Sequence, residues 1–293
     1  MSENSFGRVA LASVTTAIKD GTHGTHARVG EGVPFLSAKN ITDSGAVAWD
    51  ETDDCISESE YAQIHRTFQL EPGDLLLTIV GSLGRRAVFD GSKVTFQRSV
   101  AYVRPDTQKV SERFLFHWFA HGEFQQELVR RSNSTAQAGL YLGELARTSV
   151  PECPLAEQVK IAEVLDTLDT AIRQTEAIIE MLKQVKQGLL HDLLTRGIDA
   201  NGELRPPQSQ APHLYKDSPL GWIPNSWEIK RGRDVCNEII VGIVVRPTQY
   251  YRASGVTVLR SANVREEGLA LENVVFMSNR EHQNQQKSAV RPG

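Results

Sequence analysis

The sequence predicts an α+β chain: a β-rich mixed domain, then a long coiled-coil helix, then an incomplete second domain of the first kind. Three observations predict it. Short apolar runs rich in β-formers are punctuated by Gly, Asp and Ser in the first 150 residues. Near the middle of the chain, apolar residues recur at alternating steps of four and three. Finally, the segment Gly32 to Ile41, GVPFLSAKNI, returns 223 residues later at Gly255 to Val264 as GVTVLRSANV, with Gly45 and Gly268 in the same register.

In chain order, residues 1–153 form the first domain. Its strand candidates are Val33 to Leu36, Leu75 to Val80 and Val100 to Val103. In Ser111 to Arg131 the residues Phe114, Leu115, Trp118, Phe119, Phe124 and Leu128 follow mostly helical spacing, which predicts one helix or two short ones packed on the sheet. Residues 154–197 are the long helix, opened by Pro154 and closed by Gly197. Its seam is Ile161, Leu165, Leu168, Ile172, Thr175, Ile179, Leu182, Lys186, Leu189 and Leu193, a period nearer 3.5 than 3.6 and therefore that of a coiled coil. Thr175 and Lys186 are polar seam positions of the kind that specify register or partner. A rod of this length, about 60 Å at 1.5 Å per residue, cannot bury its seam alone. Residues 198–226, rich in Pro, Gln and Ser, read as a linker. Residues 227–293 open the second copy, in which Pro292-Gly293 stands where Pro72-Gly73 stands in the first.

The chain has 293 residues, a formal charge of −4, 40% hydrophobic and 23% charged residues, an ordinary globular composition. No run of 18 apolar residues and no signal-like N-terminus is present, so a cytoplasmic protein is expected. Cys55, Cys153 and Cys236 are odd in number and far apart, so reduced thiols are expected. Charge is unevenly spread. From Gly81 to Arg104 there are five basic residues, Arg85, Arg86, Lys93, Arg98 and Arg104, against Asp90 alone, whereas Asp43 to Glu60 has seven acids and no Lys or Arg. Glu228 to Arg265 is basic again, so each copy carries a segment that could meet phosphate. Catalytic groupings are absent: no phosphate loop, no GxGxxG, no GxSxG, and no Asn/Asp-Pro-Pro-aromatic tetrapeptide. His117 and His121 are one helical turn apart, but the segment HWFAH lacks the glutamate of a zinc protease, and no metal role is assigned. A stand-alone enzyme is therefore not expected.

The segments IKDGTHGTHARVGEGVPFLSAKNI, PGDLLLTIVGSLGRRAVF, VPECPLAEQVKIAEVLDTLDTAIRQTEAIIEMLKQVKQGLLHDLLTRGI and PLGWIPNSWE, in this order, resemble the specificity (S) subunit of type I restriction-modification systems. The resemblance covers nearly the whole chain. It implies a non-catalytic DNA-recognition subunit in which each recognition domain reads one half of a split duplex target and the helix sets their spacing. The implied partners are double-stranded DNA, methyltransferase (M) subunits docked through the helix, and a restriction (R) subunit; S-adenosylmethionine, ATP and magnesium would belong to those subunits, with no cofactor in this chain. Side-chain chemistry then nominates DNA contacts: Lys19, Thr22 and His23 in the KDGTH loop, Lys39 and Asn40 after the repeated strand, Ser82, Arg85 and Arg86 in the Gly/Arg loop, and Arg246, Arg260 and Asn263 in the second copy.

The second copy has fewer than half the residues of the first and lacks a counterpart of GDLLLTIVGSLGRR and of the long helix. The expectation is that 227–293 does not bury a full core and is partly disordered or completed by another chain, and that the Ile161 to Leu193 seam pairs with a second copy of itself. The competing reading is a regulatory or inactive fragment that binds methyltransferase or another S subunit by its helix without productive DNA recognition.

Overall fold

The computed structural model describes residues 7–132, 139–244, 246–266 and 268–290. Pro292-Gly293 lies outside them. The chain divides into two compact units, Met1–Gln184 and Val185–Gly293.

In the first unit the run Leu75 to Thr78 is wholly apolar apart from its last residue because its strand is covered on both faces. That strand, β5 (Leu75–Thr78), lies in a four-stranded antiparallel sheet with β2 (Thr15–Asp20), β6 (Arg86–Val88) and β8 (Val100–Pro105), in the order β2-β8-β5-β6. Strand alternation then divides the core. Leu75, Leu77, Ala101 and Val103 face one cluster, with Phe114, Leu115, Trp118, Phe119, Phe124 and Leu128 from the helices. Leu76, Val100 and Tyr102 face the other, with Phe35, Leu36, Ile41, Ile56 and Phe96. The second face is closed by a three-stranded sheet in which β3 (Val33–Leu36) pairs antiparallel with β4 (Cys55–Ile56) and parallel with β7 (Thr95–Phe96). Strand β1 (Gly7–Ala10) pairs with β9 (Ser149–Glu152), which leads straight into the long helix.

A short α1 (Glu58–Ile64) follows β4, and the aromatic segment forms two helices, α2 (Glu112–Ala120) and α3 (Gly122–Arg131). Ser57 caps α1, Ser111 caps α2, and the break before α3 falls at His121, whose extended backbone and ring nitrogen cap α3. His121 is thus a capping residue, and Phe119 stacks on Phe124 across the break at 4.6 Å. After α4 (Leu142–Ala146) comes α5 (Leu155–Thr195), close to its expected bounds. Gly197, at φ +61, terminates it in the left-handed conformation that lets its N–H reach the Leu193 carbonyl at 3.1 Å.

The first seam position departs from expectation. Ile161 packs on the first unit's core beside buried Ala162, and Leu165 is half-buried, because the first turns of α5 rest on the first domain. The open seam begins at Leu168, 54% exposed, and continues through Ile172, Ile179, Leu182, Leu189 and Leu193, all exposed.

In the second unit, residues 198–226, read as a linker from their composition, carry their own hydrogen bonds. Arg196 and Arg205 each donate to the other's carbonyl, at 2.7 and 2.9 Å, and β10 (Tyr215–Lys216) pairs with β11 (Ile223–Pro224) over a buried Tyr215. The prolines set turns within a bonded segment. A single turn of helix, α6 (Gly232–Val235), follows.

The repeat is more extensive in space than in sequence. β12 (Val256–Val258) matches β3, and its partner β15 (Val275–Met277) matches β4, with β13 (Val264–Arg265) and β14 (Gly268–Leu269) forming the hairpin between them. The Arg252 N–H bonds the Phe276 carbonyl as that of Val29 bonds Cys55. Ser278 and Glu281 cap α7 (Asn279–Asn284) at the place where Ser57 and Glu60 begin α1. A β-carbon on Gly32 or Gly255 would lie 2.2 Å from the carbonyl of Ile56 or Met277, so both copies need glycine at the same strand entrance. In the second copy Val256, Val258 and Leu259 stay half-exposed where Val33, Phe35 and Leu36 are buried, since β5 to β8 supply the covering side chains in the first.

Candidate nucleic-acid interface

The turn Gln97 to Val100 gathers the loops that carry the candidate contacts. The Gln97 N–H donates to the Leu36 carbonyl at 2.9 Å and that of Arg98 to Thr22 at 3.2 Å, while Thr22 and Gly21 donate back to Phe96 and Val100, each at 2.9 Å. Ser99 accepts from Ile79 through its carbonyl at 2.9 Å and from the Ala38 N–H through its hydroxyl at 3.1 Å. The KDGTH loop, the turn after β3 and the hairpin between β5 and β6 therefore meet at one end of the sheets. Loops built on rigid strands in this way hold their donors in fixed positions.

Within this cluster the candidates differ sharply. The His23 ring bonds Asp20 at 2.7 Å, and Thr22 bonds His26 at 2.8 Å, whose other nitrogen meets Glu60 at 2.7 Å, so the KDGTH loop is ordered by its own polar residues. Lys19 is exposed and reaches the Thr67 carbonyl at 3.2 Å. Lys39 is exposed and pairs with Asp53 at 2.7 Å; the Lys39 hydrogen bond is the main cause holding the Asp53 carboxyl down at about 2. Arg85 pairs with exposed Asp43 at 2.7 Å and so ties the hairpin to the turn after β3. The hairpin itself is organised from within by buried Thr78, whose hydroxyl accepts from the Arg85 N–H at 2.9 Å and donates to the Ser82 carbonyl. Ser82 is exposed at its tip. Among the described residues no acceptor meets the N–H of Ser82 at this tip.

Three candidates prove to be structural. Asn40 is 4% exposed, with its Oδ1 accepting from the Ser37 N–H at 3.0 Å and its Nδ2 donating to the Ala48 carbonyl at 3.0 Å. Asn263 repeats both bonds, to Arg260 at 3.0 Å and Ala270 at 2.9 Å, and is 2% exposed. Neither amide is free to read adenine. Arg86 donates to the Phe116 carbonyl at 2.9 Å and stacks on that ring at 4.5 Å; burial lowers its pKa, Asp169 opposing and Arg113 adding to the shift. It is spent on α2.

In the second copy Arg246 is exposed at φ +45, and Arg260 bonds the Asn273 carbonyl. Sequence reasoning left out Arg98. It is exposed on the gathering turn with its backbone fixed on both sides, and among the described residues no carboxylate pairs with it. Its membership of the basic segment was the available signal. Among the described residues no group of His, Cys, Asp and Glu could hold a metal ion, and no helix is long and apolar enough to cross a membrane.

The chain is 25% identical over 222 residues to a putative type I restriction enzyme MjaX specificity subunit of Methanocaldococcus jannaschii, covering 73% of this chain and 49% of that protein. It is 27% identical over 250 residues to the MjaVIII specificity subunit of the same organism, covering 83% and 51% respectively. The chain thus spans about half the length of the curated relatives it matches. Among solved structures, the HsdS subunit of Thermoanaerobacter tengcongensis aligns with a TM-score of 0.45 at 18% identity over 66% of this chain and 45% of that one. The S subunit of M. genitalium aligns with a TM-score of 0.48 at 13% identity over 95% and 64%. The family model described as the type I restriction modification DNA specificity domain matches residues 18–184, from the KDGTH loop to the middle of α5, and the chain belongs to that family.

Proposed function

We propose that this chain is a non-catalytic DNA-recognition subunit of a type I restriction-modification complex, which reads one half of a bipartite duplex target through the loops gathered on the Gln97–Val100 turn. The observation that carries this reading is that gathering, which sets Arg98, Lys39, Arg85, Lys19 and the Ser82 backbone on one rigid support. Arginine and lysine there serve phosphate and guanine edges, and the ordered KDGTH loop serves as a fixed wall.

The open seam of α5 is the docking surface for other helices. Exposed Ile178, Met181 and Val185 lie beside the seam residues Leu168 to Leu193, so the apolar arc is wider than a two-stranded seam requires and fits two neighbours. We assign these as methyltransferase subunits and a second conserved helix, supplied by another copy of the chain or by another S subunit. S-adenosylmethionine, ATP and magnesium chemistry is assigned to the methyltransferase and restriction subunits.

Mobility shifts over a salt series test the interface, using the chain together with its methyltransferase partner. Arg98→Ala and Lys39→Ala are each expected to reduce the slope of log affinity against log salt by about 1 for a phosphate contact, or to cost about 1–3 kcal/mol at one base position for a guanine contact. Unchanged slope and unchanged selectivity in both would remove this turn from the interface. Light scattering of the chain alone tests helix pairing, and a strict monomer at micromolar concentration would exclude pairing with a second copy.

A further inference from the structure

The first turns of α5 are bound to the recognition domain at two places. At the first, Gln158 is 3% exposed; its Oε1 accepts from the Ser111 N–H at 2.9 Å and its Nε2 donates to the carbonyls of Cys153 at 2.9 Å and Lys109 at 3.3 Å. Ala162, one turn on, is buried beside it. At the second, Asp166 accepts from Arg113 Nε at 3.1 Å and from its Nη2, and His117 Nε2 lies 2.8 Å from the same carboxylate. The His117 side chain is 9% exposed, and its other nitrogen faces Asp169 at 3.9 Å. Gln158, Ala162 and Asp166 follow one another at steps of four, so they form one stripe of the helix; the two attachments are about 12 Å apart along its axis at 1.5 Å per residue. One attachment would leave a rod free to pivot. Two fix its direction.

The second attachment is also wired to the reading loops. Phe116 lies between the guanidinium groups of Arg86 and Arg113, at 4.5 and 4.4 Å, and accepts from Arg86 through its carbonyl. Arg86 begins the strand that leaves the Ser82–Arg85 hairpin, and a β-carbon on Gly45, in the turn after β3, would lie 2.7 Å from the Phe116 ring. An unbroken series of contacts thus runs from the hairpin and the turn, through Phe116 and Arg113, to Asp166 on the rod.

At about 100° of rotation per residue, the stripe through Gln158, Ala162 and Asp166 lies roughly a third of a turn round the helix from the open seam. The recognition domain is set by the stripe, and any helix that joins the rod is set by the seam. We propose that Asp166, held by Arg113 and His117, is the positioning node that fixes the angle between the DNA-reading loops and the seam, and thereby the length of spacer the assembled complex accepts between half-sites. This rests on the bipartite reading proposed above. A spacer one base pair longer asks for about 3.4 Å of translation and about 35° of rotation, a small swing for a domain attached at one point and a large one for a domain attached at two.

The test is single-molecule sequencing of methylated genomic DNA from cells that express the chain with its methyltransferase partner, which reads half-site sequence and spacer length separately. Asp166→Asn is expected to leave the half-sites unchanged and to lower discrimination against spacers one base pair longer or shorter by about tenfold, ~1.4 kcal/mol. His117→Gln, which keeps the Arg113 bonds, is expected to do the same to a smaller degree and gives the result should Asp166→Asn not fold. Glu163→Gln, an exposed carboxylate of the same helix outside the node, is expected to keep wild-type spacing. Wild-type spacer discrimination in a folded variant of the node overturns the proposal, as does a uniform fall in methylation at every spacer length, which marks loss of stability alone. A wild-type chain that directs methylation to undivided sites overturns the bipartite reading itself, and the positioning role with it.

Discussion

Asn40 and Asn263 hold the same turn 223 residues apart, each with its amide engaged at both ends and almost fully buried. A buried amide deprived of a partner costs about 1–3 kcal/mol, so Asn40→Ala is expected to lower stability to urea by that amount. Asn40→Asp is expected to do as badly, since a carboxylate cannot donate to the Ala48 carbonyl. The residue type was visible in the repeat, but its role was not, because adenine-reading and turn-pinning asparagines look alike until their partners are known. Asp53 gives a pH signature. In the folded chain it takes its proton near about 2, against 3.8 for an unperturbed carboxyl, because Lys39 and Asn40 bond its charged form. The stability it confers is complete above the upper value and is lost as the pH falls toward the lower. Asp53→Asn is therefore expected to flatten the acid limb of the unfolding midpoint between those values. The same variant frees the Lys39 ammonium, and tighter binding of a random-sequence duplex at low salt is expected, measured by mobility shift.

At the scale of elements, α5 serves two surfaces along its length. Ala162→Asp would bury an unpaired carboxylate against the domain core and is expected to cost upward of ~3 kcal/mol in thermal unfolding. Leu182→Asp, on the open seam, is expected to leave that transition where it is while abolishing association with partner helices, read by light scattering or co-purification. The heptad was legible from Ile161 to Leu193 because its period is a local property of the sequence. Where the seam stops facing the domain and becomes exposed was not, since Ile161 and Leu168 keep the same spacing with different surroundings. The hairpin between β5 and β6 shows the same limit: its Gly and Arg residues marked a loop, but Thr78, which organises it, lies within an apolar strand and carried no signal.

At the scale of the whole molecule, the two copies of one motif differ in how much covers them. The first is packed under β5 to β8, and the second leaves its matching apolar positions half-exposed. Native-state hydrogen exchange is expected to protect the amides of β3, β5 and β8 more strongly than those of β12 and β15, because exchange-competent opening is cheapest where few apolar contacts are lost. The sequence by itself determined the duplication, the α+β class, the rod with its boundaries and the absence of familiar catalytic groupings, all of which rest on residue type and on spacings of a few residues. The tertiary structure alone decided which polar side chains are spent and which are free. Asn40, Asn263 and Arg86 are consumed, Arg98 is left unpaired among the described residues, and Asp166 becomes a link between the β5–β6 hairpin and the rod. The reason is physical: the Arg98 backbone meets Thr22, Arg113 meets Asp166 and Arg85 meets Asp43 across dozens of residues, and such partners are set by how the sheets and helices pack rather than by any local pattern.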